Sequence, residues 1–268
     1  MKQKLATGLE GFFTFPSFGY GAFAVWMRNY LYFKYTIWVS ILWLFVEPVL
    51  YLLAFGYGLG KYIDQVNGQP YIEFFYPGLM IGSAMLVSFY EGTYGCYTKL
   101  ARQNTFITIL QTPVLGPEIA VGEILWACSK GLLSGLAIGL IGVVQGFFSI
   151  IELVTLIPVI IATCFLFSSF SVGLAATAKN YDWFMYAQTA FIIPMYLFSG
   201  TYFPLESLPM QIQQLAWCFP LTHSVYLVRQ ILVGEISTLG LISISYLTIV
   251  NLVIFNLAVF RFNKKLVV

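Results

Sequence analysis

The chain has 268 residues, 59% hydrophobic and only 9% charged, with a formal net charge of +2, where soluble proteins run at about 45–50% apolar and about 25% charged. At a mean hydropathy of +0.84, no soluble fold could hide so much apolar surface. A spanning helix takes roughly 20 residues, so the chain reads as a single all-α membrane domain, 1–268, with room for about six to eight spans.

The opening stretch, MKQKLATGLEGFFTFPSFGYG, has two lysines but also Glu10 and Pro16, and lacks a continuous apolar core before a small-residue cleavage site. A removed signal peptide is therefore not expected. Residues 18–34, FGYGAFAVWMRNYLYFK, mix Trp26, Phe23 and Leu31 with Arg28, Asn29 and Lys34. That mixture suits a helix in the inner membrane interface with its basic side toward headgroups, in preference to a ragged extension of the first span. The N-terminal segment 1–35 is accordingly read as cytoplasmic and interfacial.

Six spans are predicted at 36–57, 74–97, 119–146, 153–177, 183–203 and 241–261. If the N-terminus is cytoplasmic, the inner segments hold ten of the 13 basic residues and the outer ones only Lys61 and Arg229, with Lys130 inside a span. The bias in Lys and Arg then puts both termini in the cytoplasm. Cys96, Cys128, Cys164 and Cys218 show no metal-like spacing, and this topology leaves only Cys218 outside, so no disulfide within the chain is expected.

Two segments break the pattern. Residues 98–117 link the second and third spans and contain an apolar centre, FITIL, between Lys99 and Arg102 on one side and Pro113 and Pro117 on the other. Residues 204–235 hold Pro204, Pro209 and Pro220, which cut the segment into pieces too short to span, while Leu208, Ile212, Leu215 and Ala216 recur at helical spacing. Short helices dipping back into the outer leaflet are predicted, a backbone tolerated at membrane depth only where protein or a water-filled cavity satisfies it. Phe203, Trp217 and Phe219 are placed as an apolar plug.

No G-x-x-x-x-G-K-[ST] phosphate loop occurs, so the chain is not expected to bind ATP in that manner. Gly131, Gly135 and Gly139 repeat every four residues on one helix face, which predicts close helix packing rather than a ligand. His223 is the sole histidine and lacks partners for a metal site. It reads as a satisfied turn residue rather than a catalytic base. Charges inside spans are expensive and usually face a partner or a pathway. Counting along the helices places Glu47 and Lys130 both about 16 Å from the inner end, where they are expected to pair. Glu91 and Glu123 fall nearer the inner end and are expected to be more easily solvated.

The phrases EPVLYLLAFGYGLG (47–60), YPGLMIGSAMLVSFYEGTYGCYTKL (76–100), ILQTPVLGPEIAVGEILWA (109–127) and LFSGTYFPLESLPMQIQQLAWCFPLTHSVYLVRQILVG (197–234) resemble ABC-2 type transport permeases, the membrane subunits of ABC exporters. The similar subgroup is the NodJ-like one, which includes nodulation-factor and polysaccharide export permeases. The resemblance runs from about residue 20 to 262 in one order. It implies the six-span architecture of type V ABC exporters, with an interfacial N-terminal helix and outer re-entrant helices before the last span. It further implies a homodimer with two ABC ATPase subunits beneath. ATP and magnesium would be held by the ATPase, with no cofactor, metal or catalytic residue in this chain.

In that family the segment after the second span is the coupling helix, which seats in the ATPase. The resemblance thus assigns Lys99 and Arg102 as headgroup anchors, Phe106, Ile107, Ile109 and Leu110 as the apolar docking face, and Pro113 as a stop. It implies export of an amphipathic cargo across the cytoplasmic membrane, such as a lipid-linked saccharide or a hydrophobic small molecule, with membrane lipid but no nucleic acid as a partner. The alternatives are an ion-coupled transporter or channel using Glu47 and Lys130, and a membrane-embedded lipid or glycan enzyme built on His223.

Overall fold

A computed structural model describes residues 19–63, 65–66 and 68–267, with backbone alone at 39, 41, 43–45, 47 and 267. Apart from a two-rung hairpin, Gln65–Val66 against Gln69–Pro70, the described chain is helical. Helix α1 (Tyr20–Tyr35) meets α2 (Ile37–Tyr51) at Thr36, and α2 continues as a π-helical turn, Leu52–Gly58. Then come α3 (Tyr71–Tyr90), a π-helical turn at Glu91–Gly95, and α4 (Cys96–Ala101), which together form one long helix. A short α5 (Thr105–Ile109) leads to α6 (Gly116–Gln145) and α7 (Ile150–Thr177). The pair α8 (Asp182–Ala187) and α9 (Ile193–Phe198) is joined by a third π turn, Gln188–Ile192. Two broken pieces, α10 (Met210–Ala216) and α11 (Pro220–Val233), precede α12 (Thr238–Val267).

Among the described residues, four helices are long and apolar enough to cross a membrane: Tyr71–Ala101, Gly116–Gln145, Ile150–Thr177 and Thr238–Leu266. They correspond to the second, third, fourth and sixth predicted spans. The α3–α4 helix is central. Phe75, Tyr76, Leu79, Met80, Ile81, Met85 and Phe89 are all fully buried on it, whereas α6, α7 and α12 leave large apolar side chains such as Val144, Ile151 and Ile249 exposed.

In a bilayer, helices gain little from hiding apolar surface and depend on close fit between small residues. The predicted glycine ridge on α6 supplies that fit. A Cβ at Gly131 would strike Ser88 and the Ala84 carbonyl, and one at Gly139 would strike Leu153 and Met80. The breaks between helices have local causes. Asn104, at φ 53°, is the one left-handed non-glycine among the described residues, and it turns the chain from α4 into α5. Pro117 sits in the first turn of α6, where its missing N–H costs nothing; it opens that helix rather than ending the one before. Ser149 and Glu152 close a capping box at the start of α7, with Ser149 N–H donating to Glu152 Oε2 at 2.6 Å. All four cysteines are free, and only Cys218 is exposed.

Candidate functional site

Two acid–base pairs line one seam between α1, α3–α4 and α6. Nearer the 98–117 connector, the Glu123 carboxylate is buried, with Lys99 Nζ at 2.5 Å and Arg28 Nη2 at 3.4 Å. Asn29 completes this cluster: its Nδ2 donates to Glu123 Oε1 at 2.9 Å, and its Oδ1 accepts from Arg28 at 2.7 Å and from Lys99 at 3.3 Å. One level further along α6, Lys130 Nζ lies 2.8 Å from Glu91 Oε2, and Trp126 Nε1 donates to Glu91 Oε1 at 2.6 Å. The ammonium of Lys130 also stands 5.7 Å above the Phe33 ring.

Several expectations change here. Lys130 pairs with Glu91; the side chain of Glu47, its expected partner, lies outside the described residues. Glu91 and Glu123 are engaged and largely buried rather than solvated. Lys99 is drawn onto Glu123 with its side chain only 14% exposed, so it faces the seam rather than standing free at the surface. Arg28 likewise turns inward, because α1 packs lengthwise along the first half of α6. Val25 lies against Gly122, and Trp26 Nε1 donates to Ser129 at 3.0 Å. Lys34 stays exposed.

A cleft of about 540 Å³ opens on this seam, lined by Arg28, Lys99 and Lys130 together with Glu91 and the hydroxyls of Thr36, Ser40 and Thr98.

In the connector, Phe106 is not part of an exposed face. It is buried and packs edge-on to Phe262 at 5.4 Å, which fixes α5 to the end of α12. Ile107 and Leu110 are exposed, Ile109 is half-buried, and Pro113 is exposed in the turn that follows. Arg102 is exposed, 5.9 Å over the Tyr181 ring.

At the opposite end of the bundle, the prolines divide 204–235 as expected. Pro204 and Pro209 precede short helical turns, and Pro220 begins α11. His223 is a satisfied residue. Its Nε2 donates to the Trp217 carbonyl at 2.9 Å, its Nδ1 faces Ser243 Oγ at 2.9 Å, and its ring stacks on Tyr246 at 4.2 Å. Trp217 packs edge-on to His223 and Tyr226, each at 5.3 Å, Phe219 joins the main core, and Phe203 is half-buried.

Arg229 was counted in the sequence only as an outer charge. In the fold it is half-buried, its Nη2 donating to the carbonyls of Phe74 at 3.0 Å and Gly200 at 2.7 Å, with its guanidinium 3.8 Å over the Phe74 ring. Burial pulls its pKa down to about 10 and the Glu206 carboxylate opposes this, so the group stays charged at neutral pH.

Long apolar helices with compensated charges between them define a multi-pass membrane protein. Comparison with known proteins carries this further. The sequence profile of ABC-2 type transporters matches residues 20–233. Nodulation protein J of Rhizobium leguminosarum bv. viciae is 36% identical over 225 residues, covering 84% of this chain and 87% of the relative. Nodulation protein J of Bradyrhizobium diazoefficiens is 30% identical over 251 residues, covering 94% and 96%. The inner membrane transport permease YadH of Escherichia coli K12 is 25% identical over 206 residues, covering 75% and 78%. No solved structure matches. The chain belongs to the ABC-2 type transporter family.

Proposed function

We propose that this chain is the permease subunit of an ATP-driven exporter that moves an amphipathic cargo outward across the cytoplasmic membrane, working as a homodimer above two copies of a separate ABC ATPase. Family membership supports the transport role, and the Escherichia coli relative, named an inner membrane transport permease, supports the location. The basic residues of the segments read as cytoplasmic support the orientation.

Six spans fit the helix lengths. Beside the four long helices, α2 with its π turn runs from 37 to 58, about 33 Å at 1.5 Å per residue, and α8–α9 runs from 182 to 198, about 25 Å. The segment 204–235 would then lie over the outer mouth.

The observation that carries the coupling role is α5. It is a five-residue helix pinned by buried Phe106 on Phe262, and it holds Ile107 and Leu110 exposed in the connector between two spans. A rigidly seated helix with free apolar side chains is what a partner groove would take. Capture of an ABC ATPase encoded beside this chain tests it. Ile107→Asp combined with Leu110→Asp should lower capture by roughly tenfold or more, because desolvated apolar anchors dominate such contacts. The folded yield should stay close to wild type. Full capture by the doubly substituted protein would remove α5 from the interface, and ATP hydrolysis by the pure subunit would remove the division of labour.

A further inference from the structure

We infer that the cleft between α1, α4 and α6 is a binding site for the phosphate headgroup of an anionic bilayer lipid. This goes beyond the transport role and depends only on the chain being embedded in a membrane.

Charge is the first support. Among the described residues, Arg28, Lys99 and Lys130 line the cleft, and the carboxylates that face them are Glu91, on the wall, and Glu123, behind it. Three cations against two carboxylates leave the site with one positive charge more than it needs for its own pairs. Arg28 is the cation with reach to spare, since its side chain is 34% exposed and its contact with Glu123 is the long one, at 3.4 Å. A planar guanidinium fork in that position suits a phosphate.

Lining chemistry is the second. Beside the rings of Phe33 and Trp126, hydroxyls and amides stand around the cations, among them Thr36, Ser40, Thr98 and Gln103. A phosphate or glycerol headgroup can bond with these, and an acyl chain cannot. The volume, about 540 Å³, is that of a small-molecule cleft.

Third, the apolar half of such a ligand has a place to go. Between the lining residues Thr36 and Ser40, Trp38 is 82% exposed, and Tyr35 and Leu42 on either side are also exposed. One short stretch of chain therefore offers a polar edge to the cleft and an aromatic and aliphatic face to hydrocarbon. Basic pockets between membrane helices are a known physical solution for anionic headgroups. The ion pairs keep the cleft open in the absence of ligand, because each lining cation except Arg28 is held close to its own carboxylate.

The test uses the purified full chain, stripped of lipid in a neutral detergent and titrated with phosphatidylglycerol, phosphatidylcholine or inorganic phosphate, with binding read by native mass spectrometry. Phosphatidylglycerol should bind at least about fivefold more tightly than phosphatidylcholine, the factor expected per basic residue at a membrane surface. Arg28→Gln should erase most of that preference. Lys34→Gln, an exposed cation on the same helix, should leave it intact. Equal loss for both variants would make the effect general surface charge and overturn the site. Inorganic phosphate displacing the lipid at low millimolar concentration would overturn the lipid as ligand in favour of a free anion. If Arg28→Gln does not fold, wild-type protein lifted from mixed micelles decides. One phosphatidylglycerol retained under activation that strips phosphatidylcholine supports the proposal, and equal loss of the two lipids refutes it.

Discussion

At the connector end, Arg28, Lys99 and Lys130 each face a carboxylate; at the far end, Arg229 is held by two backbone carbonyls and an aromatic ring, with its Nε unpartnered among the described residues. The two solutions answer one problem, the cost of a cation away from water. They differ in how a mutation is felt. A side-chain pair can be removed as a pair and leave nothing charged behind. A guanidinium bonded to backbone has no partner that can be changed to match.

The largest effect should come from Glu123→Gln, which leaves Lys99 and Arg28 facing only neutral amides. A loss of about 3–5 kcal/mol is expected for a buried charge deprived of its counterion, read as a fall in the thermal unfolding midpoint in detergent. An unchanged midpoint would show that these pairs hold nothing together.

Next come Glu91→Gln and Lys130→Met, each costing about 2–3 kcal/mol singly, with the double substitution costing clearly less than their sum. A double-mutant cycle measures the coupling, and strict additivity would refute the pair. Arg229→Lys should cost about 1–2 kcal/mol, because an ammonium lacks the planar guanidinium that lies over the Phe74 ring while its Nη2 bonds the carbonyls. No acidic substitution nearby should rescue it, whereas a rescue would erase the distinction between the two ends.

The smallest effect concerns pH. Burial lowers the His223 pKa, with the Trp217 carbonyl opposing. The unfolded chain therefore binds this proton more readily than the folded one, so the contribution of neutral His223 is complete above the unfolded value of about 6.5 and is lost as pH falls below it. His223→Gln should flatten that acid slope of the unfolding midpoint, and an unchanged slope would place the acid sensitivity elsewhere.

Composition and apolar runs were enough to place the long helices to within a few residues, and the prolines of 204–235 were enough to break that segment. The charge pairing was harder. Counting residues gives the depth of a Cα, but a helical side chain leans toward the N-terminus of its own helix. Lys130 on α6 leans toward the connector, and Glu91 on the oppositely running α3–α4 leans away from it, so two residues counted to different depths meet. A stripe on α6 could have revealed this: Glu123, Trp126 and Lys130 are spaced at three and four residues and share one face. The order acid then base on that stripe faces the order acid then base of Glu91 and Lys99 on a helix of reversed direction, which brings opposite charges together at both levels. Arg229 gave no comparable signal, because carbonyl partners carry no sequence mark.

The π turn at Glu91–Gly95 sets the phase of these two stripes. Glu123 and Lys130 are seven residues apart, and on an α-helix such a pair drifts by only about 20°. Glu91 and Lys99 are eight apart, which on an uninterrupted α-helix would turn Lys99 about 80° away from the seam. The π turn absorbs one residue, so the eight behave as seven and the two helices keep a common repeat. The bulge thus acts as a vernier, an offset of one residue that keeps the connector half of the helix aligned with the half buried in the bundle.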